Sequence, residues 1–266
     1  MTALRTVAVT RYVTPLRQGG SMPAIVEADD DGMYVLKFRG AAQGPKALVA
    51  ELLAGELARA VDLPVPEIVL IQLDADLART EADPEIQDLI RASGGLNVAL
   101  DYLPGAVTFD PVTYRPPAAL AAAIVWFDAF VMNVDRTARN TNMLMWHRKL
   151  HLIDHGAALY FHHSWSEDYL ARSRDPFTRI RDHVLLPFAG ALQEAHESML
   201  ERLTPEIVRS LVALVPDELL TNDSGSDTMF SSPHEYRVAY ERWLGRRLEP
   251  PHDFLTEALR AHAQLV

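Results

Sequence analysis

Three oxygen-bearing side chains, Asp135, Asn140 and Asp154, occur in one stretch of the chain. Asp135 and Asn140 lie in a polar segment that follows an apolar helix-like run, and Asp154 ends the strand-like sequence "LHLI". Because only a hairpin separates the two segments, we expect the three side chains to converge. Their oxygens suit Mg²⁺, and an Asp among them could accept a proton from an attacking hydroxyl. The alternative is that Asp and Asn merely form turns.

A lysine interrupts an earlier apolar run. Lys37 lies within the strand-like "MYVLKF", where a buried ammonium must find an anion. Glu51 and Glu56, on the amphipathic helix predicted to follow, are both available to pair with it. A strand lysine fixed by a helix carboxylate can direct its ammonium at phosphates, whereas the alternative is a lysine that reaches solvent from an edge strand.

Two adjacent glycines, Gly19 and Gly20, precede this lysine in the segment "RQGGSMP". Glycines allow backbone amides to approach a phosphate closely, so the segment is a candidate phosphate loop. An ordinary turn would show the same pattern, and the position before Lys37 is what favours phosphate binding.

The elements that must position these residues change in type along the chain. The first part is rich in predicted strands, and the residues after Pro116 are mostly helical, which predicts an α+β fold. The strand predictions are 6–13, 24–27, 33–38, 68–73 and a strand beginning at 96. The helix predictions are 46–61, 84–93, 117–133, two helices within 179–203 divided near Pro187, 206–215 capped by Thr204, 234–247 and 253–265.

Composition excludes several classes of function. The 266 residues include no cysteine, so no disulfide and no thiolate zinc site can form. The net charge of -11 and the lack of a basic run argue against a nucleic-acid partner. No apolar run reaches the ~20 residues of a membrane span, and the N-terminus lacks a signal-peptide pattern. We therefore expect a soluble, cytoplasmic protein.

The order of these features is a Gly-rich loop, a strand Lys, a helix Glu, an Asp-x4-Asn and a strand-end Asp. This order resembles the HipA-like kinases and, more distantly, the phosphatidylinositol 4-kinase-like enzymes. The segments that carry the resemblance are "YVLKFRG", "AELLAGELARAVDLPVPE", "NVDRTARNTNMLM" and "LHLIDHGAALYF". The resemblance implies a bilobal protein-kinase-like fold, with a strand-rich N-lobe at 1–103 and a helical C-lobe at 104–266.

The resemblance also assigns roles. Lys37 would contact the α- and β-phosphates of ATP, Glu51 would pair with Lys37, and Asp135 would be the catalytic base. Asn140 and Asp154 would hold Mg²⁺. The further ATP-binding candidates are the phosphate-loop residues Gly19, Gly20 and Ser21 and the adenine-binding hinge residues Leu100, Asp101 and Tyr102. In this family a Ser in the phosphate loop can be autophosphorylated, and Ser21 occupies a similar place.

The implied activity is transfer of the γ-phosphate of ATP to a protein Ser/Thr or a small-molecule hydroxyl, with a cognate regulator as a further partner. The sequence departs from ordinary protein kinases in having "NVD" for His-Arg-Asp, Asp154-His155-Gly156 for Asp-Phe-Gly, and no GxGxxG spacing. A nucleotide-binding pseudokinase without transferase activity is therefore the alternative. A metal hydrolase is a third hypothesis, built on the histidines His147, His151, His155, His162 and His163.

Overall fold

Strands dominate the first part of the chain. The computed structural model describes residues 4–16, 22–41, 44–221 and 229–265. The early strands are β1 (Thr6–Pro15), β2 (Ala24–Ala28), β3 (Met33–Lys37), β4 (Ile68–Leu73) and β5 (Gly95–Asp101). They agree with the predicted strands to within two residues at most ends. The predicted phosphate-loop residues Gly19, Gly20 and Ser21 lie outside the described residues.

These strands close a barrel in the order β1-β2-β3-β5-β4. The β1–β4 pair is parallel, and the other pairs are antiparallel. Strand β3 lies between β2 and β5, so Lys37 is opposite Val98 of β5. Alternate side chains along the strands point inward and form an apolar cluster that includes Val26, Leu36 and Val69.

Helix α1 (Gly44–Ala60) carries Glu51 and follows β3. It begins at Gly44, whose φ of 62° suits glycine, and Pro45 occupies the first turn. Gly55 lies within the helix, where a Cβ would come within 2.3 Å of Ile68 Cδ1. The glycine therefore allows α1 to pack closely on β4. Helix α2 (Pro84–Ala92), capped by Asp83, follows β4 and packs Ile86 and Ile90 into the barrel cluster.

The candidate catalytic segment is positioned by a buried helix and a small sheet. Helix α3 (Ala118–Phe130) is apolar along nearly its whole length and is buried accordingly. The sheet has the order β6-β7-β8, with β6 (Val107–Thr108), β7 (Met143–Trp146) and β8 (Lys149–Leu152). Strands β7 and β8 form the predicted hairpin, and both turn residues, His147 and Arg148, have positive φ.

The rest of the described chain is largely helical. Its α-helices are α4 (Tyr169–Arg172), α5 (Leu192–Arg202), α6 (Pro205–Val212), α7 (Asp217–Leu220), α8 (Pro233–Leu248) and α9 (Asp253–Ala263). Thr204 caps α6 as predicted, since its Oγ1 accepts a hydrogen bond from Ile207 N. Helix α1 packs against α6 and α7, so Glu51 is carried by a helix that is buried in the larger apolar core.

The prediction of two helices within 179–203 is wrong. Only α5 is an α-helix there, and the residues before it form two short 3₁₀ helices, Thr178–Asp182 and Leu186–Phe188. Tertiary hydrogen bonds explain the difference. His183 pairs with Thr137 in an isolated β-bridge, and Val184 N donates to Arg136 O at 3.2 Å. The extended backbone at His183 is incompatible with a continuous helix.

Among the residues that the structure describes, none of the helices combines the length and the apolar character that crossing a membrane requires.

Candidate active site

Lys37, at the end of β3, is the centre of a buried cluster of charges. Its Nζ lies 2.7 Å from Asp154 Oδ1 and 3.9 Å from Glu51 Oε2. The two carboxylates come from distant parts of the sequence, since Glu51 lies on α1 and Asp154 follows β8. The ammonium predicted to need an anion thus contacts one carboxylate directly and lies near a second. Glu56, the other candidate partner, instead pairs with Arg59 at 3.2 Å.

The charges in this cluster stabilise one another. Burial works to lower the pKa of Lys37, but the negative charges of Glu51, Asp154 and Asp135 outweigh it, and the pKa is raised. Burial works to raise the pKa of Glu51, but the Lys37 charge and His155 lower it to about 2. Lys37 is therefore charged and Glu51 ionised at neutral pH, and the negative charge of Asp135 adds to the rise in the pKa of Lys37.

His155 occupies the position that Phe has in Asp-Phe-Gly, and it is fully buried. Its Nδ1 lies 3.7 Å from Glu51 Oε1, which is too long for a hydrogen bond. Both ring nitrogens of His155 and both carboxylate oxygens of Glu51 are buried and have no hydrogen-bond partner among the described residues. The ring also contacts Phe127 of α3 edge to face. His155 therefore combines the packing role of an aromatic ring with a polar group beside Glu51.

Asp135 lies in the loop after α3, and two amides hold its carboxylate. Asn140 Nδ2 donates to Asp135 Oδ2 at 2.7 Å, and Asn142 Nδ2 donates to the same oxygen at 3.2 Å. The loop is closed by the Thr137 N–H, which donates to Asn140 O at 2.9 Å. The structure thus brings Asp135 and Asn140 into direct contact. The Oδ1 atom of Asp135 is not used by either amide.

Two residues of the cluster adopt left-handed backbone conformations. Asn142 has a φ of 47° and Asp154 a φ of 56°, which Asn and Asp tolerate better than other side chains. Such conformations persist where the surroundings fix them, and they are frequent at functional sites. The adjacent Gly156 lies between two carboxylates, since a Cβ there would be 3.7 Å from both Asp154 Oδ1 and Glu51 Oε2.

The predicted hinge residues lie at the end of β5, opposite β3. Leu100 pairs with Val35 and Ile68 in the barrel and is buried. The Asp101 N–H donates to Glu67 O at 2.8 Å, and the Tyr102 N–H donates to Met33 O at 3.0 Å. These two amides are therefore occupied by the protein itself.

The histidines of the metal-hydrolase hypothesis do not form one group. His162 is buried, and its Nδ1 lies 2.8 Å from Tyr240 Oη, whereas His147 and His151 flank Trp146. Within the described ranges, no group of three or more His, Cys, Asp or Glu side chains could hold a metal ion. The Asn140–Asp154 pair of the kinase hypothesis is a different kind of site, because it has two side chains and one of them is an amide.

Sequence reasoning missed a second buried charge cluster next to Asp135. It contains Asp128, Asn133, Arg136 and His183. A carboxylate within the buried sequence "AIVWFDAFV", that of Asp128, is a sequence signal that could have revealed this cluster, because a buried charge requires a specific partner.

Comparisons with known proteins show the family of this chain. The family model described as HipA-like kinase matches residues 9–231, which is well over half of the chain. No match was found among curated protein sequences.

Two kinds of solved structure are similar to this chain at low sequence identity, and one of them, with a TM-score above 0.5, shares its fold. The Helicobacter pylori proinflammatory kinase CtkA has a TM-score of 0.55 at 11% identity, covering 98% of this chain and 99% of that chain. The Golgi casein kinase with Mn/ADP bound has a TM-score of 0.47 at 12% identity, covering 98% of this chain and 74% of that chain. The family match and the kinase-like fold lead to one conclusion: the chain belongs to the HipA-like kinase family.

Proposed function

We propose that this protein is a Mg²⁺-dependent phosphotransferase that moves the γ-phosphate of ATP to a hydroxyl group. The observation that carries the proposal is the buried ammonium of Lys37, which contacts Asp154 at 2.7 Å and is influenced by Glu51 and Asp135. An ammonium among the base and metal-ligand candidates is the arrangement that phosphoryl transfer needs, because positioning and charge neutralisation supply most of the catalysis.

Lys37 supplies the positive charge for the phosphates in this proposal. Glu51 keeps the ammonium near the end of β3, and Asp154 contacts it directly at 2.7 Å. A nucleotide would compete with Asp154 for Lys37. Gly19, Gly20 and Ser21 remain the proposed phosphate loop because they precede β2 and β3 in sequence.

The donor set at the proposed metal position fits Mg²⁺. Asn140 donates through its Nδ2, which leaves the carbonyl oxygen as a ligand, and Asp154 offers a second carboxylate oxygen beyond the one nearest Lys37. Oxygen donors of this kind are those that Mg²⁺ prefers, usually together with water and phosphate. Bound Mg²⁺ would neutralise phosphate charge, and Asn140 and Asp154 would hold it.

Asp135 is the proposed base. Its Oδ2 is fixed by Asn140 and Asn142, so Oδ1 is the oxygen available to accept the proton of the acceptor hydroxyl. The acceptor oxygen forms a bond to the γ-phosphorus while the bond from that phosphorus to the β,γ-bridging oxygen breaks. ADP leaves with the bridging oxygen, and the proton goes to Asp135.

Adenine would bind at the end of β5, near the proposed hinge residues Leu100, Asp101 and Tyr102. Because the Asp101 and Tyr102 amides are occupied, the next amide, that of Leu103, is the better donor candidate. It donates to none of the residues that the structure describes. The proposal also divides the chain into an N-lobe at 1–103 and a C-lobe at 104–266: the barrel has an apolar cluster of its own, and α1 of the proposed N-lobe packs into the larger core.

The acceptor class follows from the proposed chemistry only as far as a hydroxyl. We propose a serine/threonine-type kinase, with a small-molecule acceptor and a cognate regulator as further expectations of the family. A cytoplasmic location fits the lack of cysteine and the need for ATP.

Transfer of labelled phosphate from [γ-³²P]ATP tests the proposal. Wild type and Asp135→Asn are incubated with Mg²⁺ and a mixture of Ser- and Thr-containing peptides, and phosphate on the peptides and on the chain itself is counted. We expect transfer by wild type and a loss of at least about a hundredfold in Asp135→Asn, because the substitution keeps the shape and removes the base.

Nucleotide binding is measured in parallel by thermal shift with and without Mg²⁺. If wild type is stabilised by Mg²⁺ and ATP but transfers no phosphate, the chain is a pseudokinase and the proposed activity is wrong. Equal transfer by both proteins would remove Asp135 from its role as base.

A further inference from the structure

Asp128 of α3 is a fully buried carboxylate, and three side chains donate hydrogen bonds to it. Its Oδ1 accepts from Asn133 Nδ2 at 3.0 Å, and its Oδ2 accepts from Arg136 Nε at 2.6 Å. His183 Nε2 lies 2.8 Å from the same Oδ2. Because His183 Nδ1 accepts the Leu185 N–H at 3.0 Å, the ring carries its proton on Nε2 and donates it to Asp128.

One arm of this network reaches the backbone of the proposed base. Asn133 receives the N–H of Asp135 on its Oδ1 at 3.1 Å while its Nδ2 donates to Asp128. The side chain of Asn133 is buried and bridges the two aspartates. A single side chain therefore links the carboxylate of α3 to the main chain at Asp135.

The other arm reaches the segment before Asp154. Arg136 Nη1 donates to Asn142 O and, at 3.4 Å, to Ile153 O. The Ile153 N–H in turn donates to Asn142 O at 3.0 Å. The guanidinium thus holds together the loop that ends in Asn142 and the residue immediately before the proposed metal ligand.

We propose that Asp128 is a positioning residue for phosphoryl transfer: through Asn133 and Arg136 it fixes the base, Asp135, and the metal ligand, Asp154, relative to each other. This inference rests on the proposed function. Asp128 is buried beneath the site and acts only through its two neighbours. A hydrogen-bonded buried network is rigid, and a shift of about 1 Å in a reacting group can reduce a rate about a hundredfold.

The same network explains why "NVD" can replace His-Arg-Asp. Asn133, the first residue of the triplet, supplies the hydrogen bond that orients the Asp135 backbone, and Arg136 follows the base rather than preceding it. The support for the Asp135 loop thus comes from Asp128 of α3 and from His183.

Asn133→Ala tests the inference, since it removes the link to Asp135 and keeps the bonds of Asp128 to Arg136 and His183. The matched control is Asn97→Ala. Asn97 is equally buried, its Nδ2 donates to Ser93 O and Gly95 O, and its Oδ1 accepts the Arg39 N–H. We expect Asn133→Ala to lower kcat about a hundredfold while KM for ATP changes less than about twofold. Asn97→Ala should lose thermal stability with kcat retained.

Amide hydrogen exchange supplies a readout that does not depend on activity. Exchange over 133–142 should rise in Asn133→Ala and stay at the wild-type level in Asn97→Ala. Unchanged kcat in an active Asn133→Ala protein, or an equal loss of kcat in both variants, overturns the inference. If wild type itself transfers no phosphate, the proposed function fails, and the exchange result alone decides whether the network fixes the loop: a rise supports it and no change overturns it.

Discussion

Two buried carboxylates on two helices, Glu51 of α1 and Asp128 of α3, are bonded in opposite ways. Asp128 accepts three side-chain hydrogen bonds, none longer than 3.0 Å. Glu51 accepts none from the residues that the structure describes, with Lys37 Nζ at 3.9 Å and His155 Nδ1 at 3.7 Å from its carboxylate. Both groups are ionised, because nearby positive or donating groups lower the pKa of each despite burial. Asp128 and Glu51 therefore differ in their hydrogen-bond geometry and not in their charge.

This difference corresponds to the role that we propose for each region. A base must stay in place, and the network around Asp128 leaves the adjacent loop little freedom. A phosphate site must exchange partners, and Lys37 is already divided between Asp154 and Glu51. An unbonded buried carboxylate is costly, so closing of Lys37 onto Glu51 when nucleotide displaces Asp154 would recover interaction energy.

The largest expected effect is the loss of stability on substitution of Asp128. Asp128→Asn leaves the buried guanidinium of Arg136 without its counter-ion and breaks the donor pattern of His183. Removing one partner of a buried ion pair typically costs about 3–5 kcal/mol, and we expect a loss of that size in the free energy of unfolding. Urea denaturation followed by circular dichroism measures it. A loss below about 1 kcal/mol would contradict the role of Asp128 as an anchor.

A smaller effect on stability and a selective effect on activity are expected from Glu51→Gln. No hydrogen bond to the carboxylate is broken, and Asp154 still neutralises Lys37. The free energy of unfolding should fall by less than in Asp128→Asn. The kcat/KM for ATP should fall about tenfold or more, because the charge of Glu51 no longer positions the Lys37 ammonium. The same denaturation and labelled-phosphate assays apply. Equal destabilisation by both substitutions would remove the contrast between the two regions.

The polar residues that interrupt apolar runs could be predicted from sequence because the interruption is local. Lys37 within a strand and Asp154 at a strand end are of this kind, and the structure brings them into contact. Glu51 and Glu56 were equivalent by periodicity, and only the family resemblance distinguished them. The Asp128–His183 bond joins residues far apart in sequence, and no local pattern reveals such a pair.

The same reason explains the errors in the fold. Individual strands were predicted well, but the parallel β1–β4 pairing that closes the barrel depends on contacts between distant segments. Residues 179–191 look helical by composition, yet His183 is extended in a bridge to Thr137, and the N–H of Val184 donates to Arg136 O. Where tertiary hydrogen bonds determine the backbone conformation, helix propensity does not predict it.

The smallest expected effect concerns acid stability. The pKa of Glu51 is lowered from 4.5 to about 2 in the folded protein, so its contribution to stability is present above pH 4.5 and is lost as the pH falls through about 2. Glu51→Gln should therefore show a shallower loss of stability than wild type between those pH values and no difference in slope between pH 6 and 8. Thermal denaturation across the range measures this. A difference in the slope of stability with pH that is confined to neutral pH would contradict the lowered pKa of Glu51.

The central claim is that the charged cluster around Lys37 and the fixed Asp135 together transfer phosphate. The initial rate of ³²P transfer from Mg²⁺-ATP, measured on wild type, Glu51→Gln and Asp135→Asn at saturating peptide, tests it most directly. The account predicts transfer by wild type, a reduced rate in Glu51→Gln and almost none in Asp135→Asn, although each protein binds nucleotide. A wild-type protein that binds Mg²⁺-ATP and leaves its γ-phosphate in place would contradict it.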